Sequence, residues 1–172
     1  MFWALLLSSV ASGLIATSVM VFFLYLPLVW KGNYYDVLGA IGSLVTKKTD
    51  ARSRFIGGLI YYAGGFVFAL LYGWVVLALM GLQQPMPRLG IFPGLPVSIN
   101  LFYPLLGVAI GLGHGIIAAL FAVIFFIEHH PLREYRTRFI LVISQLISHV
   151  VFGVVVMFFQ HQLLQLLLGT QG

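Results

Sequence analysis

Long apolar runs without a charged residue dominate the chain. Residues 1–30, 55–87, 102–127 and 139–172 contain no Asp, Glu, Lys or Arg. A bilayer hydrocarbon core of about 30 Å takes roughly 20 helical residues to cross, and lipid offers the backbone no hydrogen-bond partners. The pattern therefore predicts four membrane-spanning α-helices, over residues 4–30, 55–82, 101–127 and 138–160.

The first connection is short and amphipathic. Asp36 can cap a helix, and the apolar residues that follow fall on one face of it: Val37, Leu38, Ile41 and Leu44. We expect this helix to lie in the membrane interface.

The second connection is rich in proline. Residues 83–100 contain four prolines, Pro85, Pro87, Pro93 and Pro96. Because proline breaks helices and favours turns, we expect an ordered, turn-rich external loop without regular helix.

The spans group into two hairpins within one domain, 1–172. Hairpin one comprises residues 1–82, the external loop residues 83–100, and hairpin two residues 101–172. The hairpins share short motifs, since residues 54–56 and 67–69 resemble residues 138–140 and 151–153. This likeness is the basis for a possible internal repeat, whose copies would be related by an axis along the membrane normal.

The basic residues predict the orientation. Eight of the nine Lys and Arg residues lie in the connections 31–54 and 128–138, and the ninth is Arg88. By the positive-inside rule, both connections are cytoplasmic and both termini lie outside, in a cytoplasmic (inner) membrane. Although the isoelectric point is about 9.8, no folded basic face is predicted, so we expect no nucleic-acid partner.

Composition narrows the classes of function. With 61% hydrophobic and 8% charged residues, a soluble domain would expose a large apolar surface. The absence of cysteine excludes disulfides and thiolate metal sites. The partners expected from composition are the lipid bilayer and other membrane subunits.

Small residues form stripes on three of the predicted spans. At spacings of three and four residues, they present faces that allow close helix packing, and they are Gly13 on the first span, Gly65, Ala69 and Gly73 on the second, and Gly107, Gly111 and Gly115 on the third. Two interpretations remain open. The stripes either pack the four helices together, or one of them receives a flat cofactor or a partner helix.

Two histidines, His114 and His149, are candidate cofactor-binding residues. Each lies about a dozen residues along its span, so both fall near the membrane midplane. Gln145 and Ser148 share a face with His149, and Tyr61 and Tyr62 are expected to meet that face. The imidazoles can serve structural hydrogen bonding, cofactor ligation, or proton or ion handling.

The cofactor itself is unknown from sequence, with a chlorophyll-type pigment or haem as candidates. A haem at the midplane would place its propionates in hydrocarbon without an arginine to pair them, whereas a chlorophyll suits a histidine beside glycines better. We expect no metal site, because His129 and His130 form a loop pair that is typically solvated. His161 is expected at the interface.

Four stretches resemble a group of small bacterial four-span membrane proteins that are built from two helical hairpins. These stretches are residues 13–17, 36–42, 111–114 and 149–153. The resemblance implies the architecture and no activity. Where the second helix of such proteins carries a histidine, this chain has Gly64 and Gly65, a departure that argues against symmetrical sites.

The sequence favours a protein without enzymatic activity. The functional hypothesis is a small accessory or scaffold subunit of a larger, energy-transducing membrane complex, with pigment or haem contact through His114 or His149. The alternatives are a small haem-binding electron-transfer protein and a small-solute transporter. Transport is disfavoured because no span contains a permanently charged residue.

Overall fold

A computed structural model describes residues 1–30, 34–82, 88–90, 98–136 and 140–169. The elements are α1 (Phe2–Tyr25), α2 (Val37–Thr46), α3 (Ala51–Met80), β1 (Arg88–Gly90), β2 (Ser98–Asn100), α4 (Phe102–Ala122) and α5 (Ile140–Leu168). In this part of the chain, α1, α3, α4 and α5 lie in four stretches that are long and apolar enough to cross a membrane. The predicted helical class is confirmed, and so are four helices of the length and apolarity that a membrane span needs.

Helices α3 and α5 extend beyond their predicted bounds. Helix α3 begins at Ala51 rather than residue 55, because the Asp50 carboxylate accepts a hydrogen bond from the Ser53 backbone N–H at 2.8 Å and caps the helix. Helix α5 runs past residue 160 to Leu168. Gln160 looked like a boundary residue in the sequence, but it is buried in the bundle.

The segments between the long helices contain secondary structure that was not predicted. After Tyr25, a 3₁₀ turn over Leu26–Trp30 contains Pro27, which cannot continue an α-helix. Helix α4 passes into a π-helical segment, Val123–Glu128. The antiparallel pairing of β1 with β2 was not predicted. The rest of loop 83–100, Lys31 and residue 138, the predicted start of the fourth span, lie outside the described residues.

Helix α5 is the central element of the bundle. It packs against α1, α3 and most extensively α4, while α1 also packs against α3. The backbones of α3 and α4 have no comparable contact, and the two helices meet mainly through side chains such as Phe68 and His114. The fold therefore leaves the side between α3 and α4 only loosely closed.

Glycines set the closest helix contacts, with α4 lying directly on α5. A Cβ added at Gly111 would lie 2.6 Å from the His149 carbonyl oxygen, and one at Gly107 would overlap the Gly153 carbonyl. A Cβ at Gly115 would lie 3.1 Å from the His149 Cβ. Only a residue without a side chain allows this separation of the two backbones.

The other predicted packing positions lie on α1 and α3. A Cβ at Gly13 would lie 2.9 Å from the Ala69 Cβ, and one at Gly65 would overlap the Thr17 hydroxyl. A Cβ at Gly73 would lie 2.6 Å from Leu5 and 2.5 Å from the Gln160 side-chain nitrogen. The stripe on α3 therefore packs against α1 and reaches α5 at Gly73.

Helix α2 forms at the predicted place and packs against the first turns of α3. The Asp36 carboxylate accepts hydrogen bonds from the Gly39 N–H at 3.0 Å, the Tyr25 hydroxyl at 2.7 Å and the Arg54 Nε at 2.7 Å. Burial raises the pKa of Asp36, but the hydrogen bonds from Arg54, Tyr25 and Gly39 outweigh it, so the pKa lies below its ordinary value. The capping residue thus also joins the end of α1 to the start of α3.

His130 ties the second basic connection to α2. Its side chain is fully buried, which contradicts the expectation of a solvated loop pair. Nδ1 accepts from the Leu132 N–H at 3.1 Å, and Nε2 lies 3.1 Å from the Ala40 carbonyl oxygen and 3.2 Å from the Ser43 hydroxyl. The two basic connections therefore meet at one end of the bundle.

Candidate functional site

His114 and His149 lie against each other in the middle of the helix bundle. Their ring centroids are 4.6 Å apart, with the edge of one ring towards the face of the other. The glycine contacts between α4 and α5 bring the two histidine-bearing helices this close. The two residues singled out from sequence therefore form one site.

The imidazole of His149 is anchored through one nitrogen. Nδ1 lies 2.7 Å from the Gln145 carbonyl oxygen one turn earlier, so the N–H is assigned to Nδ1 and donates. Nε2 then carries the lone pair, and it has no hydrogen-bond partner among the described residues. His149 thus offers an oriented, unused acceptor, an arrangement that also occurs in metal-ligating histidines.

The imidazole of His114 is held by aromatic contacts instead. Phe68 lies over it with a centroid distance of 3.8 Å, and Tyr72 and Phe152 lie at 6.3 and 6.1 Å. Its Nδ1 is buried and has no hydrogen-bond partner within the described part of the chain. A buried polar atom left in this state costs about 1–3 kcal/mol, so a site of this kind gains from a bound donor or acceptor.

Three hydroxyl groups on α1 and α3 are also buried and make no hydrogen bond to any residue that the structure describes. They are the side-chain oxygens of Thr17, Tyr61 and Tyr72. The Tyr61 hydroxyl points towards the Gln145 side chain but does not reach hydrogen-bond geometry. Such groups in a native protein call for a water, an ion or a ligand.

Tyr62 does not join this site, although it was expected to. Its hydroxyl lies 2.9 Å from the Ser18 hydroxyl on α1. Consecutive helix residues point about 100° apart, so Tyr61 and Tyr62 cannot both face α5.

A cavity of about 140 Å³ adjoins the two imidazoles. Its walls come from all five helices, and the α3 wall includes Ile60, Gly64 and Phe68. Ile60 and Phe68 are 44% and 38% exposed, so the cavity opens sideways beside α3. Cavities for drug-sized ligands measure about 300–1,000 Å³, so this one suits a single side chain or a small group.

The geometry limits which cofactors the site could hold. A haem held by both imidazoles would have its macrocycle between the two rings, and contact at 4.6 Å leaves no such space. The His149 Nε2 would be the atom to hold a macrocycle, but the adjoining cavity of about 140 Å³ is too small to enclose one. In the described part of the chain, no group of three or more His, Cys, Asp or Glu is placed to hold a metal ion.

A second polar cluster, between α1 and α5, was missed from the sequence. The Gln160 amide donates to the Ser8 and Ser9 hydroxyls at 2.8 and 3.1 Å, and its carbonyl oxygen accepts from Ser12. The spacing of Ser8, Ser9 and Ser12 on one helix face was the available signal. Because its hydrogen bonds are made internally, this cluster joins the helices and offers nothing to a ligand.

His161, which was expected at the membrane interface, is buried against α4. It is 4% exposed and stacks on Tyr103 with a centroid distance of 3.8 Å. The stack joins the C-terminal part of α5 to the start of α4.

Comparisons with protein-family models, curated proteins and solved structures gave no match.

Proposed function

We propose that the protein is an accessory or scaffold subunit of a larger membrane complex, which it contacts sideways through the cavity at His114 and His149. The observation that carries the proposal is the side-opening cavity with an anchored imidazole whose Nε2 has no partner in the described segments. A site for a bilayer partner has to open towards the lipid, as this one does.

The chemistry of the cavity favours a polar side chain from a neighbouring helix. A hydroxyl or amide group would donate to the His149 Nε2 and fill a space of about 140 Å³. Hydrogen bonds of this type between membrane helices contribute about 0.6–2 kcal/mol each. Tyr61 also lines the cavity, and its buried hydroxyl, which has no partner among the described residues, offers a further contact to the same group.

The uneven burial of the spans supports a partner on this side. In their most apolar windows, 44% of α1 and of α5 is buried within the chain, against 28% of α3 and 22% of α4. Helices α3 and α4, which flank the cavity, therefore present the most surface for a further subunit.

The proposed location is a cytoplasmic (inner) membrane, with the basic end inside and both termini outside. The support is the meeting of the two basic connections at one end, where His130 contacts Ala40. The internal repeat stays a prediction. Its motifs align Ala69 on α3 with Gly153 on α5. Ala69 faces one glycine of α1, Gly13, whereas Gly153 faces two glycines of α4, Gly107 and Gly111.

A pigment or haem is the second candidate. The hydrogen bond from His149 Nδ1 to a carbonyl favours it, because the same bond orients axial histidines. Transport has less support, since the contact between α1 and α5 is closed by the hydrogen-bonded serines and Gln160.

The test uses a photo-reactive amino acid at two positions of α4. Ile117 lies one turn from His114 on the cavity side, whereas Leu112 faces away from it, and both are exposed, at 57% and 44%. We expect one discrete cross-linked partner from position 117 in native membranes and none from position 112. Equal cross-linking at both positions, or none at position 117, would contradict the proposal.

A further inference from the structure

A separate groove lies at the end of the bundle where the two basic connections meet, on the exposed surface of α1. It has a volume of about 470 Å³ and is lined by Val21, Phe22, Leu26, Val29, Leu38 and, at its polar edge, Tyr25 and Arg54. Phe22 and Val29 are 60% and 75% exposed. From Val21 to Val29, the groove follows α1 and the turn after it for roughly 12 Å at 1.5 Å per residue.

Arg54 supplies a fixed cation at the edge of this groove. Its Nε donates to the Asp36 carboxylate at 2.7 Å, and its side chain remains 61% exposed. The Tyr25 hydroxyl and the Gly39 N–H hold the same carboxylate at 2.7 and 3.0 Å. The guanidinium is therefore oriented, and its two amino groups have no hydrogen-bond partner among the described residues.

We propose that this groove binds one anionic phospholipid, with its phosphate on the free amino groups of Arg54 and an acyl chain along Val21 and Phe22. Guanidinium groups match phosphate oxygens through paired N–H donors. The apolar wall extends from the charged end towards the middle of α1, which is the polarity of a phospholipid in one leaflet.

The charge at this end favours an anionic headgroup. The Arg54 charge is balanced by Asp36, but Lys47 and Lys48 lie at the same end of the bundle. Each such cation near a membrane surface contributes attraction to anionic lipid. The groove walls offer almost no backbone or polar partner to a peptide, so lipid is the occupant that fits.

The test is lipid binding to the delipidated full-length protein in mild detergent, followed by native mass spectrometry and thermal unfolding. The ligands are phosphatidylglycerol, phosphatidylcholine and inorganic phosphate. We expect one phosphatidylglycerol per chain, weaker phosphatidylcholine binding, a raised unfolding temperature with phosphatidylglycerol, and no effect of inorganic phosphate.

Two variants and one control locate the site. Arg54→Gln should weaken phosphatidylglycerol binding about fivefold, as expected for the loss of one exposed ion pair with the phosphate. Arg52→Gln, an exposed arginine outside the groove, should bind as the wild type does. Because Arg54→Gln also removes a partner of Asp36, Val21→Trp provides a variant that fills the groove and leaves the ion pair intact, and it should lose binding as well.

Three results would overturn the proposal. They are wild-type lipid binding by Val21→Trp, an equal loss of binding in Arg54→Gln and Arg52→Gln, and stabilisation by inorganic phosphate equal to that by the lipid. The last would indicate an ion site without a role for the groove.

Discussion

His149 has one ring nitrogen engaged and one available, and this difference makes it the residue to test first. In the proposed role, Nε2 accepts a hydrogen bond from a partner side chain. His149→Gln retains an acceptor of similar reach, whereas His149→Leu removes it. We expect the glutamine variant to keep the cross-link from position 117 and the leucine variant to lose it, in cells that produce equal amounts of folded protein.

The absorption spectrum of the purified wild type separates this role from cofactor ligation. A visible band that disappears in both His149 variants would assign the site to a pigment or haem and contradict a purely side-chain contact. A colourless protein that tolerates glutamine would exclude the cofactor.

Gly111 and Gly113 form a matched pair on α4. A Cβ at Gly111 would lie 2.6 Å from the His149 carbonyl oxygen, whereas a Cβ at Gly113 would meet nothing within 4 Å. Gly111→Ala should therefore lower the free energy of unfolding by about 1–3 kcal/mol. Gly113→Ala should leave it unchanged or raise it by about 1 kcal/mol, since alanine has the higher helix propensity. Unfolding in detergent measures both, and equal stabilities would refute the close contact of α4 with α5.

At this scale the sequence indicated which residues are special but not what they contact. The spacing of Gly107, Gly111 and Gly115 predicted a stripe, and the structure supplies its partner, Gly153 and His149 on α5. His130 was misjudged because its hydrogen bonds reach Ala40 and Ser43, far away in the chain. No local pattern distinguishes it from its exposed neighbour His129.

Among the elements, α2 depends on a second glycine contact. A Cβ at Gly57 would overlap the Leu38 carbonyl, but one at the adjacent Gly58 would meet nothing within 4 Å. We expect Gly57→Ala to displace α2 from α3 and speed tryptic cleavage at Lys47 and Lys48, which follow α2 directly. Gly58→Ala should be cleaved at the wild-type rate. Cleavage of both variants at the wild-type rate would mean that other contacts hold α2 against α3.

The lengths of the spans were predictable and their ends were less so. The charge-free runs located the four long helices because lipid requires an unbroken apolar helix. The end of α5 was misplaced because polar residues near its end were interpreted as a boundary. Gln160 instead bonds to Ser8 and Ser9, so its polarity serves a helix contact inside the bundle.

For the whole molecule, the positive-inside bias predicts which end faces the cytoplasm. The chain has no cysteine, so single cysteines at positions 48, 136 and 88 form a clean set. In intact cells, an impermeant thiol reagent should label position 88 and leave positions 48 and 136 unreacted until the membrane is opened. Labelling of position 48 or 136 in intact cells would reverse the proposed orientation.

The sequence did not predict which helices pack against each other. Two hairpins were predicted, and both α1–α3 and α4–α5 are in contact. The extensive packing of α1 on α5 depends on Gln160 and the serines, whereas the looser approach of α3 to α4 leaves the cavity at His149 open. Periodicity shows that a helix has a packing face, but it does not identify the helix that will cover it.

The most direct test of the central claim fills the cavity from a position that the chain itself leaves empty. Gly64 lines the cavity, and a Cβ there would meet nothing within 4 Å; Gly58 on the same helix has equal space but does not line the cavity. Gly64→Leu should therefore fold normally yet block a side chain entering beside His149. On a native gel in mild detergent, we expect Gly64→Leu to migrate as the free subunit and Gly58→Leu to remain in the large complex. A Gly64→Leu protein that stays in the complex as the wild type does would contradict a partner contact at this site.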